Sequence, residues 1–209
     1  MKVLVFDTET SGLPKERNTS IYDTQDWPYI IQLSYIVYDS DTNHLVTVEN
    51  DYIKIDANVN IDPGSEKIHK ISRDMLKDGI TISEALCKFN RFSEKCELLV
   101  AHNVSFDKRM LMVEGIRNKF RVTMSDTYCT MKNSIEICKI EKIGKTGDKY
   151  FKYPSLSELY NHLFDTIPKN THNALIDILI CMRCFCKIEL KKDISEINNT
   201  IRLMLKEAH

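Results

Sequence analysis

Asp7 and Glu9 stand two residues apart at the end of an apolar, β-branched run, Lys2 to Phe6. In a strand this spacing points both carboxylates to one side, because successive side chains alternate between faces. Two like charges beside apolar residues are costly unless compensated, and a divalent cation bound through oxygen is the usual compensation. Taken alone, Asp7 also fits a plainer role as organiser of the turn at Thr10 to Gly12. Further along, Asp107 in Asn103-Val104-Ser105-Phe106-Asp107 falls in the first turn of a helix that follows a strand, at the kind of edge where open α/β sheets place ligands. It fits equally as an acid that complements the helix dipole, and His102 and Asn103 fit as side chains tying the strand end to its loop. His172 and Asp177 bracket the entry of an apolar helix. At the lip, His172 can titrate near neutral pH; about one turn inside, Asp177 wants a partner. Either is also at home as an ordinary capping or surface residue.

The elements that position these groups follow from periodicity and punctuation. Lys2 to Phe6, Ile30 to Tyr38 and Leu45 to Ile55 read as strands, the last two joined by the polar turn Asp39 to Asn43, which suggests an antiparallel meander. A capping box, Thr81-x-x-Glu84, opens an amphipathic helix to about Lys95. Glu97 to His102 is then a fourth strand and Ser105 to Gly115 a helix ending at its glycine. Val122 to Asp126 reads as a short fifth strand. A second capping box, Ser155-x-x-Glu158, starts a helix to about Phe164; Ala174 to Leu190 is a long helix, and a last helix follows Asp193. A meander followed by β-α-β units predicts an α/β fold, a mixed five-stranded sheet flanked by helices. With no repeat or linker to divide it, the chain reads as a single domain, residues 1–209.

Composition sets limits on partners. A chain of 209 residues, 43% hydrophobic and 28% charged, can bury a sizeable core, and its net charge of −1 leaves no basic surplus to argue for a polyanion. A nucleic-acid partner must therefore be argued from sites. Seven cysteines without framework spacing, and an N-terminus that meets charge too soon for a signal peptide, point to a reducing intracellular compartment. No apolar stretch reaches the roughly 18 to 20 residues that span a bilayer, so a soluble protein with no membrane partner is expected. Cys181-x-x-Cys184-x-Cys186 lies within a helix and reads as buried thiols rather than a zinc site; Trp27 reads as a packing residue. Residues 139–152 carry Lys139, Lys142, Lys145, Lys149 and Lys152 against Glu141 and Asp148, and read first as a solvated loop and second as a contact for a polyanion.

Taken together, Asp7-x-Glu9, Asn103-x-x-Phe106-Asp107 and His172-x-x-x-x-Asp177 resemble, in order, the three motifs of the DEDDh exonucleases, the DnaQ-like proofreading group that includes ribonuclease T. The resemblance extends to Phe6–Pro14, to Ile31-Gln32-Leu33-Ser34, to Leu99–Asn103 and to Ser125-Asp126-Thr127, and so spans residues 1 to about 190. Ile68-His69-Lys70-Ile71-Ser72 is similar to a common Ile-His-Gly-Ile-Thr segment, with Lys70 in place of the glycine. The resemblance implies a ribonuclease-H-like fold and 3′-to-5′ hydrolysis of DNA or RNA, single-stranded or at a 3′ terminus. It implies that Asp7, Glu9, Asp107 and Asp177 hold two divalent ions, Mg²⁺ or Mn²⁺, and that His172 is the general base for the attacking water. It further implies that the loop at Thr8, Thr10 and Leu13 meets the terminal nucleotide, with Asn103 and His69 as additional contacts; Leu13 also fits as a loop residue covering the core, and His69 as a surface helix residue. Two alternatives remain at this level: a catalytically weak binding or regulatory module with the same fold, and a nuclease of the wider fold that cuts internally.

Overall fold

The computed structural model describes residues 1–208. Five strands form one sheet in the order β3-β2-β1-β4-β5: β1 (Lys2–Thr10), β2 (Ile30–Asp39), β3 (His44–Tyr52), β4 (Leu98–Ala101) and β5 (Asp126–Cys129). The first three are antiparallel, and β4 and β5 join β1 in parallel, which is the mixed sheet expected from the sequence. On one face, α6 (Leu156–Phe164) and α7 (Ala174–Glu189) pack on Val3 and Val5; on the other, α2 (Ile82–Ser93) and α3 (Val104–Arg117) pack on Leu4 and Phe6. Because β1 and β2 are covered on both faces, they read as continuous apolar runs rather than as alternating ones. Ser34 and Gln32, the polar exceptions in β2, both donate to Asn50 Oδ1 on β3, at 2.7 and 2.8 Å.

Both expected capping boxes form, at Thr81/Glu84 and Ser155/Glu158, each satisfying free N–H groups at the start of its helix. Other expectations need correction. The fifth strand begins at Asp126 instead of Val122, because Asn90 and Ser93 of α2 engage the backbone of Thr123 and keep it out of the ladder. Helix α3 runs on to Arg117, and Gly115 is a close-approach site instead of a stop. A Cβ there would meet the Phe120 carbonyl oxygen at 2.7 Å and Val122 Cγ2 at 2.8 Å. A short helix, α1 (Pro63–His69), carries His69 in its last turn; Asp62 caps it by accepting from Ser65 N at 2.8 Å. The last helix after Asp193 is broken into α8 (Ile194–Ile197) and α9 (Asn199–Met204), with Asn198 closing one and capping the next.

The lysine-rich stretch is ordered as well. After the single-turn helices α4 (Thr130–Asn133) and α5 (Ile135–Cys138), β6 (Glu141–Ile143) and β7 (Lys149–Phe151) pair as an antiparallel hairpin. Its turn depends on Gly147 at φ 90°, a conformation that glycine adopts without steric cost. Among the described residues no helix is long and apolar enough to cross a membrane.

Candidate active site

The C-terminal half of β1 carries two chemistries on its two faces. Asp7 and Glu9 point toward α7, where Asp177 lies one turn in, and the three carboxylates each place an oxygen within 4.8 Å of the others. Between them Thr8 faces the opposite way and is buried. Its backbone N–H and its hydroxyl both donate to Asp107 Oδ1, at 3.1 and 2.8 Å. Asp107, only 3% exposed at the start of α3, is thereby fixed at the edge of the same cluster. The β1–β2 register slips between Glu9, opposite Gln32, and Thr10, opposite Ile30, so β2 carries an extra residue, Ile31, across from the end of β1.

Electrostatically the cluster is under strain. Burial, and then the charges of Asp107, Asp177 and Glu9, push Asp7 well above the usual carboxylate range. Glu9 is pushed up to about 8 by burial and by Asp177 and Asp107. Burial raises Asp107 to about 7 against the opposing Thr8 hydrogen bonds. Asp177 also rises to about 7, through burial and the Asp107 charge, although the His172 N–H on its Oδ2 at 3.0 Å pulls the other way. Asp177 Oδ1 is buried with no hydrogen-bond partner. An orphaned carboxylate oxygen within a converging set of hard oxygen donors is what a divalent cation such as Mg²⁺ or Mn²⁺ would satisfy.

The surrounding residues divide by exposure. His172 is exposed at φ 66°, in the loop before α7, and only its backbone N–H is engaged by Asp177. Asn103 is exposed at φ 74°, a left-handed position that asparagine tolerates, and its side chain makes no capping hydrogen bond. Leu13 is 79% exposed. Thr8 and Thr10, expected at the terminal nucleotide, are both buried: Thr8 serves Asp107, and the Thr10 hydroxyl donates to the Gly12 carbonyl at 2.7 Å. His69 is on a helix but not on the surface; it is 7% exposed, accepts from Ile71 N through Nδ1, and is held below the usual histidine range by burial. Its neighbour Lys70 adopts the left-handed conformation, φ 59° and ψ 21°, at the position where the similar segment has glycine.

Two residues have positioning partners that only the tertiary structure supplies. The first is Thr8, expected at the terminal nucleotide, whose side chain strand alternation puts opposite Asp7 and Glu9, where it holds Asp107. The second is His102, which burial holds down at about 4 and therefore neutral. The Pro154 carbonyl, 3.1 Å from Nε2, can only accept, so Nε2 carries the hydrogen and Nδ1 accepts from the Thr130 hydroxyl at 2.9 Å. No local signal in the sequence links positions 102 and 154. The loop bearing Leu13 is anchored too: Ser11 and Tyr29 exchange hydrogen bonds of 2.8 and 3.0 Å, and Glu114, buried in α3, accepts from Ile30 N at 3.1 Å.

Comparison with known proteins bears on the family and the fold. The family model described as Exonuclease, of the RNase T group, matches residues 4–185. The chain is 26% identical over 175 residues to the DNA polymerase III subunit epsilon of Pasteurella multocida, covering 83% of this chain and 62% of that protein. It therefore spans less than two thirds of that relative's length. Among solved structures, Escherichia coli exonuclease I in complex with a dT13 oligonucleotide superposes with a TM-score of 0.65 at 14% identity, over 97% of this chain and 45% of that one. Exonuclease X in complex with 5′ overhanging duplex DNA superposes with a TM-score of 0.55 at 21% identity, over 99% of both chains. These likenesses establish the ribonuclease-H-like fold. With the family model matched across the sheet, the carboxylate cluster and most of α7, the chain belongs to the exonuclease family, in its DnaQ-like branch.

Proposed function

We propose that this protein is a 3′-to-5′ exonuclease that hydrolyses the terminal phosphodiester bond of DNA or RNA and releases nucleoside monophosphates. The observation that carries the reading is the convergence of Asp7, Glu9 and Asp177 within 4.8 Å, with Asp107 buried beside them. A protein that only bound nucleic acid would have no use for four carboxylates near phosphates, since they repel it. In this reading Asp7, Glu9, Asp107 and Asp177 hold two divalent ions, Mg²⁺ or Mn²⁺. Bound there, such ions supply the positive charge that stabilises the attacking and leaving oxygens of an in-line displacement. His172, exposed at the mouth, takes a proton from the attacking water as general base; the water oxygen bonds to phosphorus and the 3′-oxygen of the penultimate nucleotide leaves. Thr8 holds Asp107 in place, and Leu13 packs against the terminal base.

The test is digestion of 5′-labelled single-stranded DNA, duplex DNA and single-stranded RNA, with closed circular DNA alongside. Shortening ladders that vanish with EDTA and return with Mg²⁺ or Mn²⁺ are expected. Nicked circles would point to internal cutting, and binding without hydrolysis to a regulatory module. His172→Ala should lower the rate by on the order of 10² to 10⁴ and remove one limb of the pH–rate profile, while calorimetric Mn²⁺ affinity stays near wild type. Loss of Mn²⁺ binding in that variant would overturn the general-base assignment.

A further inference from the structure

We propose that the groove between the Leu13 loop and the stem of the β6–β7 hairpin binds the single-stranded segment upstream of the scissile bond, and that the hairpin extends this track. The proposal rests on the exonuclease reading above. The groove has a volume of about 690 Å³. Its lining includes Leu13 and Asn103, which adjoin the carboxylate-bearing elements, and Arg17, Phe106, Lys132 and Tyr153.

Its cations are of two kinds. Arg109 builds the wall: its guanidinium lies 4.6 Å over Trp27 and donates to the backbone carbonyls of Arg17 and Thr19. Along the hairpin, Lys149 pairs with Glu141 and Lys152 with Glu158. Arg17, Lys132, Lys139, Lys142 and Lys145, by contrast, are exposed and make no ion pair within the described residues. In a chain of net charge −1, these exposed and unpaired cations on the groove and on the hairpin give phosphates a local attraction that the overall charge does not supply.

Aromatic faces accompany these charges. Tyr150 is 50% exposed, Phe151 37% and Tyr153 53%, three rings within four residues. In the hairpin register Lys142 stands opposite Tyr150, so a cation and a ring share one face. Stacking on exposed rings requires bases with free faces, which a single strand offers and a duplex does not. Lys152 N donates to the Ile140 carbonyl at 2.9 Å, which closes the base of the hairpin, and the chain that leaves it is tied to the end of β4, next to Asn103, where His102 Nε2 donates to the Pro154 carbonyl. A strand whose 3′ end reaches the carboxylates past Leu13 thus finds cations and exposed rings both in the groove and on the hairpin.

The experiment uses the full chain and two double variants, Lys132→Ala/Tyr153→Ala in the groove and Lys142→Ala/Tyr150→Ala on the hairpin. Anisotropy of fluorescein-labelled dT16 in EDTA reads binding without hydrolysis. Each variant should raise Kd by on the order of 10-fold, and the slope of log Kd against log salt should flatten by about 0.7 for the lysine removed. With Mn²⁺, the ratio of kcat/KM for dT16 to that for dT2 should fall with the affinity. Wild-type Kd and salt slope in both variants would overturn the proposal, as would a blunt 16-base-pair duplex competing as well as dT16. A wild-type protein that shortens neither oligonucleotide would refute the exonuclease reading alone, because the anisotropy arm still reports whether the groove and hairpin hold a single strand.

Discussion

Replacing Asp7 by asparagine should stabilise the metal-free protein while removing its response to metal. Glu9, Asp107 and Asp177 are held up at about 8, 7 and 7, and Asp7 is raised well beyond its usual range. A carboxyl whose pKa is higher folded than unfolded binds its proton more tightly when folded, so its stabilising contribution is complete below the unfolded value and is lost as pH rises through the folded one. Glu9 alone, moved from 4.5 to about 8, corresponds to an upper bound of roughly 5 kcal/mol. Burial is the first cause of each shift and the repulsions, which are shared between groups, add to it, so the cluster is expected to cost several kcal/mol, on the order of 3 to 5, between pH 5 and pH 8 in EDTA. For a chain of this size that is a fall in Tm of about 10 °C. Four mutually repelling carboxylates make six pairs, and Asp7 belongs to three of them. Asp7→Asn removes the burial cost of one carboxylate as well as these three repulsions, and should recover roughly half of the fall or more, the new amide hydrogens facing carboxylate acceptors. Saturating Mn²⁺, at about 100 times its Kd, should stabilise the wild type by about 2.7 kcal/mol and the variant hardly at all. Thermal unfolding by circular dichroism, in EDTA and in Mn²⁺ from pH 5 to pH 8, measures both effects. A flat wild-type profile in EDTA, or a variant with the full Mn²⁺ response, would refute the reasoning.

Thr8→Val removes the buried hydroxyl that donates to Asp107 at 2.8 Å, a hydrogen bond to a charged group worth about 1.5 to 3 kcal/mol. The pH below which Mn²⁺ binding is lost should move up by about one unit and Thr8→Ser should restore it; an unmoved midpoint would mean that the contact does not tune Asp107. Lys70→Gly relieves a left-handed residue that costs about 1 to 2 kcal/mol, offset in part by the greater freedom of glycine in the unfolded chain. A net rise in Tm of about 1 to 4 °C is expected, and a drop would show that the Lys70 side chain stabilises the loop.

Local chemistry made much of this protein legible in its sequence. Alternation placed Asp7 and Glu9 on one side of β1, and two capping boxes marked the helices that carry their own start signals. Motif order also picked out Asp107 and Asp177, since each lies at the entry of a helix whose start is written in adjacent residues. What tertiary structure decided are relations between distant positions. The fifth strand slid to Asp126 because side chains of α2 claimed the backbone before it, and Gly115 took its meaning from Val122 rather than from the helix end. The inward turn of Thr8 toward Asp107, the burial of His69, and the tie from His102 to Pro154 join residues up to 99 positions apart. Periodicity and capping act over a few residues and leave a trace in composition; the partner of a buried polar group is chosen by which chain happens to pack against it, and that is settled only when the sheet and both helical layers close.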